Sequence, residues 1–331
     1  MRLPMLTIDG SFGEGGGQLV RNAVGLSALT GIPVAISRIR AGRKRPGLFP
    51  QHIAAVWAIA CSCDATVTGL EQGSSVVTFT PGKPKPCDVS VTIGTAGSIP
   101  LIILAWLPVA LITGGNLHVT GGTEVPLSPT IDYFDNVFCS VLRKSGAEIH
   151  LNIERRGYYP AGGGAVTVLV EQRNISPIRT DEQCSGPCHI ASCSSNLPAH
   201  VADRQAVAAA RHVERETGLT CENVIDARAG PGTGSSCTIW RGAKGGSELG
   251  RRGFPAENVG ESAARVVIDA FRAPGTVDVH IADQLLVPLA LFGGKFTTAA
   301  LTTHAEATVW LLEQFGYKIQ STCGAGVEFS A

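Results

Sequence analysis

Apolar and polar positions along this chain recur three times in one order: a polar, Gly-rich turn, an apolar helix, a strand, a second helix and a β-hairpin. The first copy opens at residues 11–18, Ser-Phe-Gly-Glu-Gly-Gly-Gly-Gln. Its apolar stretch predicts a helix over 19–29 that stops at Thr30-Gly31, because a glycine just past the last apolar position is a C-terminal signal. A strand over 33–38 follows. A second helix starts at Pro50-Gln51-His52 and ends before Ala65, and a hairpin over 66–80 turns near Gln72-Gly73. The second copy opens at 94–98, Gly-Thr-Ala-Gly-Ser. Its helix ends at Gly114-Gly115, and a strand over 116–120, a helix over 129–145 and a hairpin over 148–170 complete it. The third opens at Ala282-Asp283-Gln284, with a helix ending at Gly293-Gly294, a strand over 296–301, a helix from His304 to Gly316 and a closing hairpin over 318–329.

Residues 180–275 interrupt this series. They predict a strand over 189–192, an amphipathic helix over 198–217, a Gly/Ser loop over 230–236, a strand over 238–241 and a helix over 255–271. The expected fold is therefore α+β, with three βαβαββ-like units. Residues 1–179 and 276–331 make a large domain, and 180–275 make a smaller α+β domain inserted into it. Pro177 and Ala273-Pro274-Gly275 are the expected hinges.

Composition narrows the class. With 331 residues, 44% hydrophobic and 16% charged, the chain is a well-buried globular protein. Lys and Arg balance Asp and Glu at 27 each, so the broad basic face of a protein that tracks along nucleic acid is not expected. Contact with nucleic acid should be local, at an end or a pocket. The apolar run 99–112 is shorter than a membrane span and holds Pro108, so it reads as a buried core helix. No signal peptide is evident and no membrane association is expected. The ten cysteines match no zinc module, which suits small buried side chains in a reducing, cytoplasmic setting; a disulfide is expected only for a hyperthermophile source.

Chemistry concentrates in a few places. Gly-rich turns that open helices offer backbone N–H groups to phosphate, although the same turns are ordinary structure elsewhere. Gly13 to Gly17 is not a Walker loop, and Glu14 within it is a candidate Mg²⁺ ligand. Arg21, seven residues on, is expected about two turns along the same helix face. Arg38, Arg40, Arg43, Lys44 and Arg45 form a dense basic stretch before Gln51 and His52, and arginine suits bidentate phosphate capture. His280 to Gln284 is expected to end a strand and start a helix, where Asp283 serves equally as an N-cap. His304 enters another helix. A lone histidine there is most often structural, but a neutral imidazole is able to attack phosphorus.

These segments resemble the RNA 3′-terminal phosphate cyclase family over nearly the whole chain. The most specific piece is Arg156-Gly-Tyr-Tyr-Pro-Ala-Gly162-Gly163-Gly164. Gly13 to Gln18, Thr95 to Ser98, Ser195 to Pro198, Gly253 to Val259 and Ala282-Asp283-Gln284 support it. The resemblance implies three units like the C-terminal domain of translation initiation factor three. It also implies a three-step reaction using ATP and Mg²⁺ or Mn²⁺: adenylation of a histidine, transfer of AMP to an RNA 3′-phosphate, and closure to a 2′,3′-cyclic phosphate. By position, His304 matches the adenylated histidine, with Arg43 and Arg21 as catalytic partners. His280, Ile281, Ala282, Asp283, Gln284, Leu104, Gly15 and Gly16 match the ATP site. Arg40, Gln51 and His52 match the RNA and phosphate contacts, and Glu14 the metal ligand. The RNA 3′ end is the implied partner, and a homodimer is an allowed assembly. Leu104 departs from the family, which places a glutamine there; leucine forms no such hydrogen bond, so preference for ATP over other nucleotides is in question. The competing readings are a cyclase-like ribosome-assembly factor lacking catalysis, which His304, Glu14 and Arg43 oppose, and an enolpyruvyl transferase, for which the chain is too short.

Overall fold

The computed structural model describes residues 3–13, 15–180 and 184–331. The chain begins with β1 (Leu6–Asp9), α1 (Gly17–Thr30), β2 (Val34–Ser37), α2 (Pro50–Cys61), β3 (Thr66–Thr68) and β4 (Val77–Thr80). Their sheet has the order β1-β2-β4-β3, with β1 parallel to β2 and the other neighbours antiparallel. β5 (Asp88–Thr92), α3 (Ile99–Thr113) and β6 (Gly115–Gly121) start the second sheet. It continues through a broken helix to β7 (Glu148–Arg155) and β8 (Gly164–Glu171) in the order β5-β6-β8-β7, again with the first pair parallel. The short β9 (Ile178–Arg179) then leaves toward a third sheet.

Residues 188–249 contribute a further sheet, from β10 (Cys188–Ser195), β11 (Cys221–Arg228), β12 (Gly234–Arg241) and β13 (Lys244–Leu249), ordered β11-β10-β12-β13. α4 (Ile131–Tyr133) and α5 (Ser140–Lys144) flank a π-helical turn in the broken helix of the second sheet. α6 (His200–Thr217) and α7 (Ala256–Arg272) cover the inserted sheet. The chain closes with α8 (Val279–Phe292), β14 (Gly294–Thr298), α9 (Thr303–Gln314), β15 (Gln320–Cys323) and β16 (Val327–Ser330). Together with β9 these strands make a sheet ordered β9-β14-β16-β15, with β9 parallel to β14. The overall class is a mixed α+β protein with several small mixed sheets.

Local chemistry accounts for the elements. Gly31, at φ 73°, supplies the left-handed residue that ends α1. α3 is apolar on every face and mostly buried, with one side lining a cavity, and its Trp106 Nε1 donates to Ser62 Oγ at 2.9 Å, fastening α3 to the end of α2. A single core joins α1, α2, α3, α8 and α9 to the inner faces of three sheets. A second, separate core lies under α6 and α7, where small residues let the helices approach: a Cβ on Gly260 would overlap the carbonyl of Gln205.

Several expectations are corrected. The helix over 129–145 is interrupted by the π turn Phe134–Cys139. His280 to Gln284 does not end a strand; it lies inside α8, which starts at Val279 and is capped by Asp278, whose carboxylate accepts from the N–H groups of His280 and Ile281. α1 starts at Gly17 and carries Arg21; the helix face expected to join Arg21 to Glu14 involves a residue that lies outside the described residues. The third-copy strand covers Gly294–Thr298 rather than 296–301, and β12 already begins within the expected Gly/Ser loop.

Candidate active site

Five helix starts meet at one cavity of about 880 Å³: Gly16 and Gly17 of α1, Gln51 and His52 of α2, Ser98 before α3, Val279 and His280 of α8, and Thr302 and His304 at α9. Ser98, Asp278 and Thr302 cap their own helices. α1 differs: no described side chain caps its N-terminus and no acidic residue occupies its first turn. Its first N–H groups and dipole are therefore available to an anion.

The basic wall is selective. Arg21 is 7% exposed, lines the cavity, and makes no hydrogen bond or ion pair among the described residues. Burial pulls its guanidinium down to about 10, with Asp283 opposing, so it stays charged at neutral pH. A buried cation without a hydrogen-bonded partner is costly, and an anionic ligand would offset that cost. Arg40 adopts φ 55°, donates to the carbonyls of Arg45 at 2.8 Å and Gly47 at 3.1 Å, and stacks 3.8 Å over the Phe49 ring. It therefore also builds the loop it stands on. Arg43 reaches the start of α1, its guanidinium lying 3.8 Å from where a Gly16 Cβ would be. Arg38, Lys44 and Arg45 are exposed and outside the cavity lining, and Arg38 pairs with Asp9 at 3.0 Å.

His52 is held neutral. Burial first, then Arg21 and Arg40, push it down to about 3, while its Nδ1 accepts from the Phe49 N–H at 2.9 Å. The proton therefore sits on Nε2, which packs directly on Gly17. Any Cβ at residue 17 would overlap the ring, so the glycine there is required by packing. Gln51 accepts from the Ser98 N–H at 3.2 Å and so ties α2 to the second Gly-rich turn.

On the opposite side, His304 is half-buried near Asp283, whose carboxyl burial pushes up to about 6 against the pull of His304, Gln18 and His280. Gln18 Nε2 donates to Asp283 Oδ2 at 3.2 Å and to Thr308 Oγ1 at 3.0 Å, and Thr308 donates to the His304 carbonyl at 2.9 Å. α1, α8 and α9 are thereby cross-braced around the imidazole. The rest of the cavity is apolar, with Leu101, Leu104 and Pro108 of α3, Val287 and Pro288 of α8, and Val125 to Leu127. Leu104 is half-buried in this wall, and the buried Oε1 of Gln284 has no hydrogen-bond partner. Gly246 and Ser247 of β13 and Val266 of α7 line the same cavity.

The remaining candidates fall outside the lining. Ile281 and Ala282 are buried in the core, and Gly15 stands behind Gly16 with φ 57°. Glu14 lies outside the described residues. Among the described residues the cavity offers one carboxylate, Asp283; the group geometrically able to hold a metal, Glu148, His150 and Glu171, is elsewhere, and Arg173 already pairs with both glutamates. Sequence reasoning missed the brace made by Gln18 and Thr308, the cap at Asp278 and the inserted-lobe contributors. Arg241 and Lys244 line a separate cavity of about 190 Å³ with Lys144 and Arg179. No helix is long and apolar enough to cross a membrane among the described residues.

Comparison with known proteins gives a consistent result. The family model for RNA 3′-terminal phosphate cyclase matches residues 12–320. The RNA 3′-terminal phosphate cyclase of Methanococcoides burtonii is 42% identical over 314 residues, covering 94% of each chain. Those of Pyrococcus furiosus and Archaeoglobus fulgidus are each 41% identical, covering 95% of this chain and 94% and 97% of their own.

Proposed function

The chain belongs to the RNA 3′-terminal phosphate cyclase family, and we propose that its large cavity binds ATP and the RNA 3′-phosphate end, with His304 as the nucleophile. Its activity is that of the family, cyclisation of an RNA 3′-terminal phosphate; the residue roles below are our reading. A ring nitrogen of His304 attacks the α-phosphorus of ATP and pyrophosphate leaves. An oxygen of the RNA 3′-phosphate then attacks the phosphorus of the histidyl-AMP, returning the imidazole and forming a mixed anhydride. The 2′-hydroxyl attacks the 3′-phosphorus, AMP departs, and the ring closes. Each step exchanges one phosphorus–oxygen or phosphorus–nitrogen bond for another, and AMP is a far better leaving group than the oxide it replaces.

Arg21 and Arg43, with the uncapped start of α1, would neutralise the triphosphate and the charge that grows on phosphorus. Neutral His52 would offer its Nε2–H, while Gln51 and Arg40 would shape the RNA side of the pocket. Leu104, Leu101 and Pro108 would enclose the nucleotide base, with the free acceptor of Gln284 and the α8 segment His280 to Asp283 near it. The donor set fits a hard cation: Asp283 from the described lining, with Glu14 expected from the sequence, would hold Mg²⁺ or Mn²⁺, which would supply further charge neutralisation. The shared strand order of three sheets supports three βαβαββ repeats, and the separate core under α6 and α7 supports an inserted domain over 180–275. Ten free cysteines suit the cytoplasm.

The observation that carries this reading is Arg21, a buried guanidinium facing the same cavity as His304 with no hydrogen-bond partner among the described residues. Incubating the protein with ATP, Mg²⁺ and a 3′-phosphorylated RNA should make the terminal phosphate resistant to phosphatase while AMP accumulates. A terminus that stays phosphatase-sensitive with ATP unconsumed would overturn it.

A further inference from the structure

The signature segment that begins at Arg156 does not reach the large cavity. It runs along the seam between the two cores. A Cβ on Gly162 would press on the backbone of Thr95 and Ala96, and Gly163 and Gly234 pack on Pro231 and the Tyr158 ring respectively. Arg156 is 6% exposed at the middle of that seam. Its Nη1 donates to Glu124 at 2.8 Å and to Asp132 Oδ2 at 2.6 Å, its Nη2 to Asp132 Oδ1 at 3.0 Å, and its Nε to Asp226 Oδ2 at 2.8 Å. Glu124 and Asp132 belong to the large domain. Asp226, on β11, belongs to the inserted one, where Arg228 grips it a second time. Thr130 and Thr238 hydroxyls cross the same seam at 2.8 Å.

Glu124 and Asp132 bracket residues 125–129, which form one wall of the cavity, and Tyr133, next to Asp132, also lines it. Tyr133 in turn donates to Asp278, the cap of the helix that carries His280, Asp283 and Gln284. The cavity lining also includes Gly246, Ser247 and Val266 of the inserted lobe. A guanidinium that donates along three directions is the one side chain able to hold both parts of the lining in register. We propose that Arg156 is a positioning residue: by clamping Glu124 and Asp132 to Asp226 it sets the spacing between the two lobes and so the shape of the cavity that binds ATP. This rests on the reading that the large cavity is the ATP site.

The test is the dissociation constant for ATP, measured by calorimetry on the full chain well below the melting temperature. Three variants are compared with wild type: Asp226→Asn, Arg156→Lys and, as a control in the inserted core away from the seam, Val213→Ala. Asp226→Asn leaves Glu124 and Asp132 on the guanidinium and removes the charged link between lobes, together with the ion pair that Arg228 makes on the same strand. It should weaken ATP by about tenfold while the rate of histidine labelling at saturating ATP changes far less. Arg156→Lys should act in the same direction and more strongly, since an ammonium cannot fork. Val213→Ala should melt lower yet bind ATP as wild type does. Wild-type affinity in Asp226→Asn, or equal weakening in Val213→Ala, would overturn the proposal and leave Arg156 a stability residue. Failure of the wild type itself to bind ATP would instead refute the assignment of the cavity.

Discussion

Replacing Arg21 by methionine separates a cation kept for folding from one kept for a ligand. Arg21 is 7% exposed, and burial lowers its guanidinium to about 10, Asp283 opposing. A basic group whose folded pKa lies below its unfolded value costs stability wherever it is protonated in both states. Here that cost is fully present below about pH 10 and is lost as pH rises through the ordinary guanidinium range. The difference corresponds to about 3 kcal/mol at neutral pH. Methionine keeps most of the stem and discards the charge, so the variant should be about 1–3 kcal/mol more stable and melt a few degrees higher. The same change removes a charge-assisted donor to phosphate, and kcat/KM for adenylation should fall by about 10²–10³. Urea denaturation and thermal melting give the first quantity, and transfer of label from α-labelled ATP gives the second. A variant that melts lower than wild type and still adenylates near the wild-type rate would refute the argument, because Arg21 would then be an ordinary structural residue.

Other outcomes follow from neighbouring contacts. Gly17→Ala should destabilise the protein by about 1–3 kcal/mol in urea, since its Cβ overlaps the His52 ring and displaces the cap of α2. Glu124, which burial pushes from 4.5 up to about 8, is an acid whose folded pKa exceeds its unfolded value. Its ionisation therefore costs stability that is absent below pH 4.5 and grows through pH 8 at about 1.4 kcal/mol per pH unit. Glu124→Gln should flatten that part of the stability–pH curve, and parallel curves for the two proteins would contradict the assignment. Leu104→Gln should raise the ratio of kcat/KM for ATP over GTP by about five- to tenfold, the worth of one added hydrogen bond, read in the same labelling assay.

Much of this was legible in the sequence where local rules are strong. Gly31, Gly114 and Gly293 end their helices as read, and the hairpin strands of the second unit run Glu148–Arg155 and Gly164–Glu171, one residue past the expected span. What failed depends on contacts distant in sequence. Nothing in the string distinguishes Asp278, which caps α8, from Asp283, which sits inside it, because both precede apolar residues. Nor does the basic stretch reveal that Arg38 turns toward Asp9 while Arg43 turns toward Gly16, a choice made by the positive φ angles at Arg38 and Arg40. The π turn at Phe134–Cys139 leaves no mark on the apolar periodicity. The signature at Arg156 carried the family resemblance without a role, and the structure places its guanidinium among Glu124, Asp132 and Asp226.

The central claim is that His304 carries AMP. ATP labelled at the α-phosphate, with Mg²⁺, should leave acid-labile label on the wild-type chain, one per molecule at most, that is released to AMP when a 3′-phosphorylated RNA is added. His304→Ala should bind ATP and take up none. Label that persists in His304→Ala, or that does not pass to RNA, would contradict the account.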